Sequence, residues 1–375
     1  MDTTTLLKGN AMLWSSSFHS ADLDSLLYAC YRTKASDVTL QADQPVFAEI
    51  EGLLQPVTQE AVASHQITDI LQDIYGSNAP AQLSRSDLDF SYEIKPSRSE
   101  RVRFRVNVTG ILSRGSDSCQ ITFRILPEYI PSLKEIELEE EIVTGCRQKQ
   151  GLILVTGPTG SGKTTLLASI IRHRLEHEQG GKILTYESPI EYVYDGLAGQ
   201  HSLISQTEIP RHLPTYARAI RNALRRKPEV IVCGEARDGE TITGIMEAAL
   251  TGHLVFSTTH TNGVAETLPR LLSAFPSSEK TMRAWDLMES LRLIISQILV
   301  PRQGGGRCAL REWIVVDESL RKALLNKPVE QWTSEVRTIL NYRKSSFKDA
   351  AQRAWKAEKI ESEVYERFLP PKGEV

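Results

Sequence analysis

The residues with the plainest chemistry are Gly157, Pro158, Thr159, Gly160, Ser161, Gly162, Lys163, Thr164 and Thr165, fed by the apolar run Leu152-Ile153-Leu154-Val155-Thr156. A turn of this composition between a strand and a helix aims backbone N–H groups inward, and its glycines remove the Cβ atoms that would keep phosphate oxygens out. Lys163 is placed to meet the β- and γ-phosphates, and the Thr164 hydroxyl to meet Mg²⁺. The chemistry implied is binding of a nucleoside triphosphate, ATP, with Mg²⁺.

A phosphate loop alone does not separate a kinase from a motor, so the polar residues at the ends of other apolar runs carry the distinction. Glu235 follows Val230-Ile231-Val232-Cys233 and is a candidate to orient the water that attacks the γ-phosphate. Most phosphate-loop proteins hold Mg²⁺ through an aspartate just before this position, where this chain has Gly234. Glu187 and Glu191, in Tyr186-Glu187-Ser188-Pro189-Ile190-Glu191, are the alternative carboxylates, with Glu187 the metal candidate beside Thr164. His253 and His260 bracket Leu254–Thr259, one at the base of that run and one at its tip, where phosphate sensing or subunit coupling competes with an ordinary structural role. Arg103, Arg105, Arg114 and Arg124 fall on expected strands nearer the start of the chain. Alternation puts Arg103 and Arg105 on one face, able to reach a triphosphate as arginine fingers do or simply solvated.

These side chains need elements to position them. Val38–Gln41, Val46–Ile50, Val102–Val108 and Cys119–Ile125 alternate with period two after an expected helix near 22–29, which implies a small α+β unit with one polar sheet face. Pro127 and Pro131 interrupt the pattern and mark a hinge. Beyond it, the apolar runs 151–156, 182–187, 229–235 and 253–259 alternate with helical stretches, as in a parallel α/β core whose ligands lie at the carboxyl ends of the strands. Helices are expected over 282–299 and over 347–367, the latter with Ala350, Ala351, Ala354 and Trp355 on its apolar face.

At 375 residues, 41% hydrophobic, the chain has the length of two domains. A net charge of -3 implies no global attraction to nucleic acid, and no direct nucleic-acid contact is expected. Five scattered cysteines without a C-x-x-C pair read as reduced thiols in a cytosolic setting. Residues 1–5 show neither a secretory n-region nor a lipidation signal, and no run is long enough to span a bilayer, so membrane contact is expected through partners.

Taken together, 157–165, 184–193, 227–238 and 251–261 resemble the Walker A, Asp, Walker B and His boxes of the type II/IV secretion ATPases in order and spacing. Ala35-Ser36-Asp37-Val38, Leu88–Tyr92 and Gly304–Arg307 extend the resemblance over nearly the whole chain. It implies an α/β fold: a RecA-like motor domain preceded by a PAS-like α+β domain, divided here as 1–127, a linker at 128–136, and 137–375. It also implies a homo-hexamer, Glu235 as the catalytic Walker B glutamate, and a bacterial cytoplasmic location, peripheral to the inner membrane and its secretion or pilus apparatus. Glu187-Ser188-Pro189 stands where the pilus-retraction (PilT-like) branch has Glu-Asp-Pro, and the Ala-Ile-Arg-Asn-Leu-Ile-Arg signature of that branch is missing. The DotB/TraJ branch serving type IVB secretion and conjugation is therefore favoured, with pilus retraction and a weakly hydrolysing, ATP-gated scaffold as the alternatives.

Overall fold

A computed structural model describes residues 6–8, 11–13, 18–98, 100–177, 181–197 and 201–369. The start of the chain at 1–5 and its end at 370–375 lie outside the described residues. Chain packing separates two compact units, Met1–Tyr129 with Ser188–Val193, and Ile130–Glu187 with Tyr194–Val375. A division at one point of the chain does not anticipate that a short stretch after the strand Gly181–Glu187 packs with the first unit.

The first unit is built on a six-stranded antiparallel sheet in the order 53–56, 47–50, 37–41, 116–125, 102–113, 88–94. Period-two patterning makes one face apolar, with Val38, Leu40, Phe104, Val106, Ile121 and Phe123 all buried. Helices Leu23–Arg32 and Ser64–Tyr75 cover that face with Leu26, Leu27, Ile67 and Ile70. The hairpin between Val102–Ser113 and Ser116–Ile125 turns through Arg114 and Gly115, at φ 47° and 82°. Two positive φ values are what a two-residue hairpin loop needs, so Arg114 is a turn residue rather than a strand residue.

The second unit carries a seven-stranded sheet ordered 202–208, 181–187, 230–233, 254–259, 151–156, 291–301, 307–315. The first six strands run parallel and the last is an antiparallel edge. Every residue of 151–156 and 254–259 is buried, as central strands covered on both faces require.

Two expected helices are corrected. Helix Lys280–Ser290 stops where a helix to 299 was expected, and Leu291–Pro301 is a strand paired with the phosphate-loop strand. The apolar positions 284, 287, 288, 291, 294, 295 and 298 satisfy a helical period equally well; Ile294, Ile295, Ile298 and Val300 favour the strand, and pairing with 151–156 decides it. Between Phe347 and Arg367 the helix breaks after Lys356 and resumes at Ser362–Glu366. Ala350, Ala351 and Ala354 form the buried face against Cys308 and Leu310, whereas Trp355 is 40% exposed and stacks on Tyr365.

The core of the first unit rests on aromatic edges such as Phe104 against Phe123, ring centres 6.0 Å apart and both rings fully buried. Phe123→Ala is expected to cost about 3–5 kcal/mol, read as a lower urea midpoint for the transition reported by this unit.

Candidate active site

Strands 181–187, 230–233, 254–259 and 151–156 lie side by side and end on Glu187, the Gly234-Glu235 pair, His260 and the phosphate loop. The chemistry-bearing residues of this unit therefore line one edge of one sheet, where ligands of such folds bind.

The loop is shaped by left-handed glycines, Gly157 at φ 144°, Gly160 at 76° and Gly162 at 80°. A Cβ on Gly157 would meet the Gln297 carbonyl at 2.3 Å, so that position also demands the smallest residue on grounds of space. Ser161 Oγ is buried with no hydrogen-bond partner among the described residues, an orphaned hydroxyl inside a loop made to wrap an anion. Lys163 opens helix Lys163–His177 and is only 8% exposed. Its ammonium donates to the carbonyls of Gly157 at 2.8 Å and Pro158 at 2.9 Å. Thr164 and Thr165 follow in the first turn, and their hydroxyls are hard oxygen donors of the kind Mg²⁺ takes.

His260 joins this loop to Glu235. Its Nδ1 lies 3.5 Å from Lys163 Nζ and its Nε2 lies 3.6 Å from Glu235 Oε1. An ammonium can only donate, so Nδ1 accepts and the ring hydrogen sits on Nε2, facing the carboxylate. Burial, and after it the charge of Lys163, hold the His260 pKa below its usual value against the opposing pull of Glu235. Glu235 Oε1 is also gripped by Arg237 Nε at 2.7 Å. The loop behind His260 is tied down by hydroxyls: Thr156 bonds Thr261, Thr261 Oγ1 pairs with Thr267 at 2.8 Å, and Thr267 donates to the Gly263 carbonyl at 2.8 Å.

Gly234 stands where an aspartate is commoner. A Cβ there would lie 2.9 Å from the Tyr216 hydroxyl and 3.0 Å from the Tyr186 carbonyl, so an aspartate would have to displace the tyrosine hydroxyl and crowd the carbonyl. Glu187 accepts from Thr185 Oγ1 at 2.6 Å and Gln206 Nε2 at 3.3 Å. Its strand is three places from the phosphate-loop strand, about 14 Å at the usual strand spacing. The structure thus brings Glu235 and His260 to Lys163 and leaves Glu187 at a distance from Thr164.

His253 precedes Leu254, which pairs with Gly151 at the start of both strands, so it lies at the sheet edge opposite the phosphate loop. There its ring Nδ1 sits 3.2 Å from the Ala248 carbonyl. Glu191 belongs to the stretch that packs with the first unit. Arg103, 9% exposed, donates to the carbonyls of Ile190 at 2.6 Å and Glu191 at 2.9 Å. Arg105 makes a two-pronged pair with Asp89, Arg124 bonds Asp37 at 2.8 Å, and Arg114 lies 3.7 Å from Asp43. Each of the four arginines singled out in the sequence is thus engaged within its own unit.

Three residues near the loop were not singled out in the sequence. Arg237 lies inside the stretch 227–238 without a role of its own, and Gln297 and Arg311 lie on strands 291–301 and 307–315, the first of which was expected to be helical. Gln297 Nε2 donates to the Ser161 carbonyl at 2.8 Å, and Arg311 Nε donates to Gln297 Oε1 at 2.7 Å. A cavity of about 240 Å³ opens beside the loop, lined by Gly162, Thr165, Leu299, Arg302, Arg307 and Arg311. A second, of about 360 Å³, opens beside Glu235, Arg237, Thr259 and His260.

Residues 86–334 match the type II/IV secretion system protein family. The chain belongs to that family. The X-ray structure of the Legionella pneumophila ATPase DotB is 42% identical, with a TM-score of 0.87 over 95% of this chain and 98% of that one. The pilus retraction motor PilT, solved with bound ADP, is 30% identical with a TM-score of 0.79 over 96% and 99%. The type IV pilus ATPase PilT of Pseudomonas aeruginosa is 34% identical over 318 residues, 84% of this chain and 89% of that protein. These likenesses carry the fold class: a RecA-like motor domain with an N-terminal PAS-like α+β domain.

His260 supplies a pH test. Its folded pKa lies below the unfolded value near 6.5. Below that value the unfolded chain binds the extra proton first, so this contribution to stability is complete above about pH 6.5 and is lost as pH falls through the folded value. The loss of stability between pH 7.5 and pH 5.5 should be smaller in His260→Asn than in the parent protein, measured by urea unfolding at both pH values. An identical loss in both would remove His260 as its source.

Proposed function

We propose that this chain is an ATP-hydrolysing motor of a type IVB secretion or conjugation apparatus. The observation that carries the reading is the continuous line Lys163, His260, Glu235 across the ends of adjacent strands beside a phosphate loop. Phosphate oxygens replace the Gly157 and Pro158 carbonyls as partners of Lys163, and the Thr164 hydroxyl would hold Mg²⁺, whose charge would offset that of the phosphates. Glu235 takes the proton of the attacking water, and His260, neutral and donating through Nε2, orients that carboxylate and registers the γ-phosphate through Lys163.

The division into an N-terminal domain at 1–127, a linker at 128–136 and a motor at 137–375 is part of the proposal, as is assembly into a homo-hexamer at the cytoplasmic face of the inner membrane through partner proteins. Among the described residues no helix is long and apolar enough to cross a membrane, which fits recruitment by protein contact. The secretion branch is supported by the higher identity and TM-score against DotB; pilus retraction is the second reading, favoured by the 84% coverage at 34% identity against PilT.

Lys163→Ala should abolish turnover. Glu235→Gln should retain ATP while hydrolysing it about 10²–10⁴-fold more slowly, measured as phosphate release beside filter-bound nucleotide. Normal hydrolysis by Glu235→Gln would return the role to Glu187 or Glu191. Sedimentation in the presence of nucleotide is expected to show a hexamer of the 42.0 kDa chain, and a monomer under every nucleotide condition would overturn the ring. Deletion in the source cell should stop substrate export; loss of twitching with export intact would instead favour retraction.

A further inference from the structure

The phosphate loop does not end its contacts at the phosphates. Gln297 is 3% exposed and uses both halves of its amide: Nε2 donates to the Ser161 carbonyl, and Oε1 accepts from Arg311. These partners assign the amide orientation, because a carbonyl can only accept and a guanidinium can only donate. The same residue abuts both ends of the loop: a Cβ on Gly157 would meet its main-chain carbonyl at 2.3 Å, and one on Gly162 would meet its side-chain Nε2 at 2.9 Å.

Arg311, 2% exposed, spends its remaining donors on one short stretch of chain. Nη2 donates to the Ile136 carbonyl at 2.9 Å, and Nη1 to the Glu137 carbonyl at 3.2 Å and the Glu139 carboxylate at 3.1 Å. That stretch is wound tightly. Glu137 has φ 50°, Ile136 N–H donates to the Ser132 carbonyl, Leu138 N–H donates to the Leu133 carbonyl, and Lys359 holds the Glu137 carboxylate at 2.8 Å. Residues 132–139 come directly after the point at which the chain passes from one compact unit to the other.

We propose that Gln297 and Arg311 are positioning residues that relay the nucleotide state of the phosphate loop to residues 132–139. The proposal rests on the nucleotide-binding reading above. A loop that tightens on phosphate moves the Ser161 carbonyl, and Gln297 has little slack to absorb the shift, because the loop backbone packs against its Nε2 on one side and the Arg311 guanidinium holds its Oε1 on the other. The planar guanidinium transmits that displacement as a unit, since its fork fixes the angles between its bonds to Gln297, Ile136 and Glu137. A lysine keeps the charge and loses this geometry.

Hydrogen exchange on the full chain, with and without ADP, tests the relay. In the parent protein ADP should slow exchange at 157–165 and also at 132–139, by at least about fivefold at each. In Arg311→Lys, and independently in Gln297→Met, the protection at 157–165 should persist while exchange at 132–139 no longer responds to ADP. A purely structural role for either side chain would raise exchange at 132–139 equally with and without nucleotide. Protection of 157–165 in the parent without change at 132–139 overturns the relay alone, as does an undiminished response at 132–139 in both variants. No protection at 157–165 in the parent overturns the nucleotide reading together with the relay.

Discussion

The organisation of the motor unit depends on one buried ammonium. Lys163 is 8% exposed, and its ammonium donates to two backbone carbonyls, neutral acceptors that carry no formal charge to balance it. A polyanion compensates it far better, so the fold carries a standing preference for phosphate before any ligand arrives. The same charge acts on its neighbour. Together with burial it keeps His260 neutral, and by occupying Nδ1 it fixes the tautomer that turns Nε2–H toward Glu235. Occupancy at Lys163 and the orientation of the carboxylate are thus two ends of one imidazole. The threonine hydroxyls from Thr156 through Thr261 to Thr267 keep that ring from drifting.

Much of this was legible in the sequence, because central parallel strands are continuous apolar runs and their polar residues can only stand at the ends. Glu235, His260 and the phosphate loop were found that way, and the structure puts them together. Strand 291–301 escaped because its apolar spacing suits a helix as well as a strand, a choice settled only by pairing with 151–156. With that strand went Gln297 and then Arg311, whose importance comes from contacts 136 and 14 residues away along the chain. No local pattern encodes such contacts. Gly234 shows the reverse case. The sequence displayed the departure from aspartate, and the reason, a tyrosine hydroxyl and a carbonyl filling the space, is purely tertiary.

The arginines of the first unit divide in a way that charge counting could not. Their partners, Asp89, Asp37 and Asp43, come from other strands or turns, and strand register decides which acid faces which base: Asp37 stands directly opposite Arg124, and Arg124 opposite Arg105. Exposed pairs of this kind are worth about 0–1 kcal/mol, so Arg124 and Arg114, with side chains 66% and 76% exposed, can leave their carboxylates at little cost. Arg103 differs. It is nearly buried, and its bonds to two backbone carbonyls leave those carbonyls without that donor if it swings away.

Arg105 stands between these cases: its pair with Asp89 is two-pronged and the two side chains are only 38% and 25% exposed, so it leaves its carboxylate less freely than Arg124 or Arg114. Arg103 instead fixes the stretch Ser188–Val193, which continues directly from the strand ending on Glu187. Its charge is used structurally, to fasten one segment of chain to the sheet of the first unit. Arg103 and Arg105, equivalent by period-two alternation, therefore separate by burial and by their nearest acceptors: two backbone carbonyls for Arg103, with the Glu93 carboxylate farther off at 3.9 Å, and the Asp89 carboxylate for Arg105.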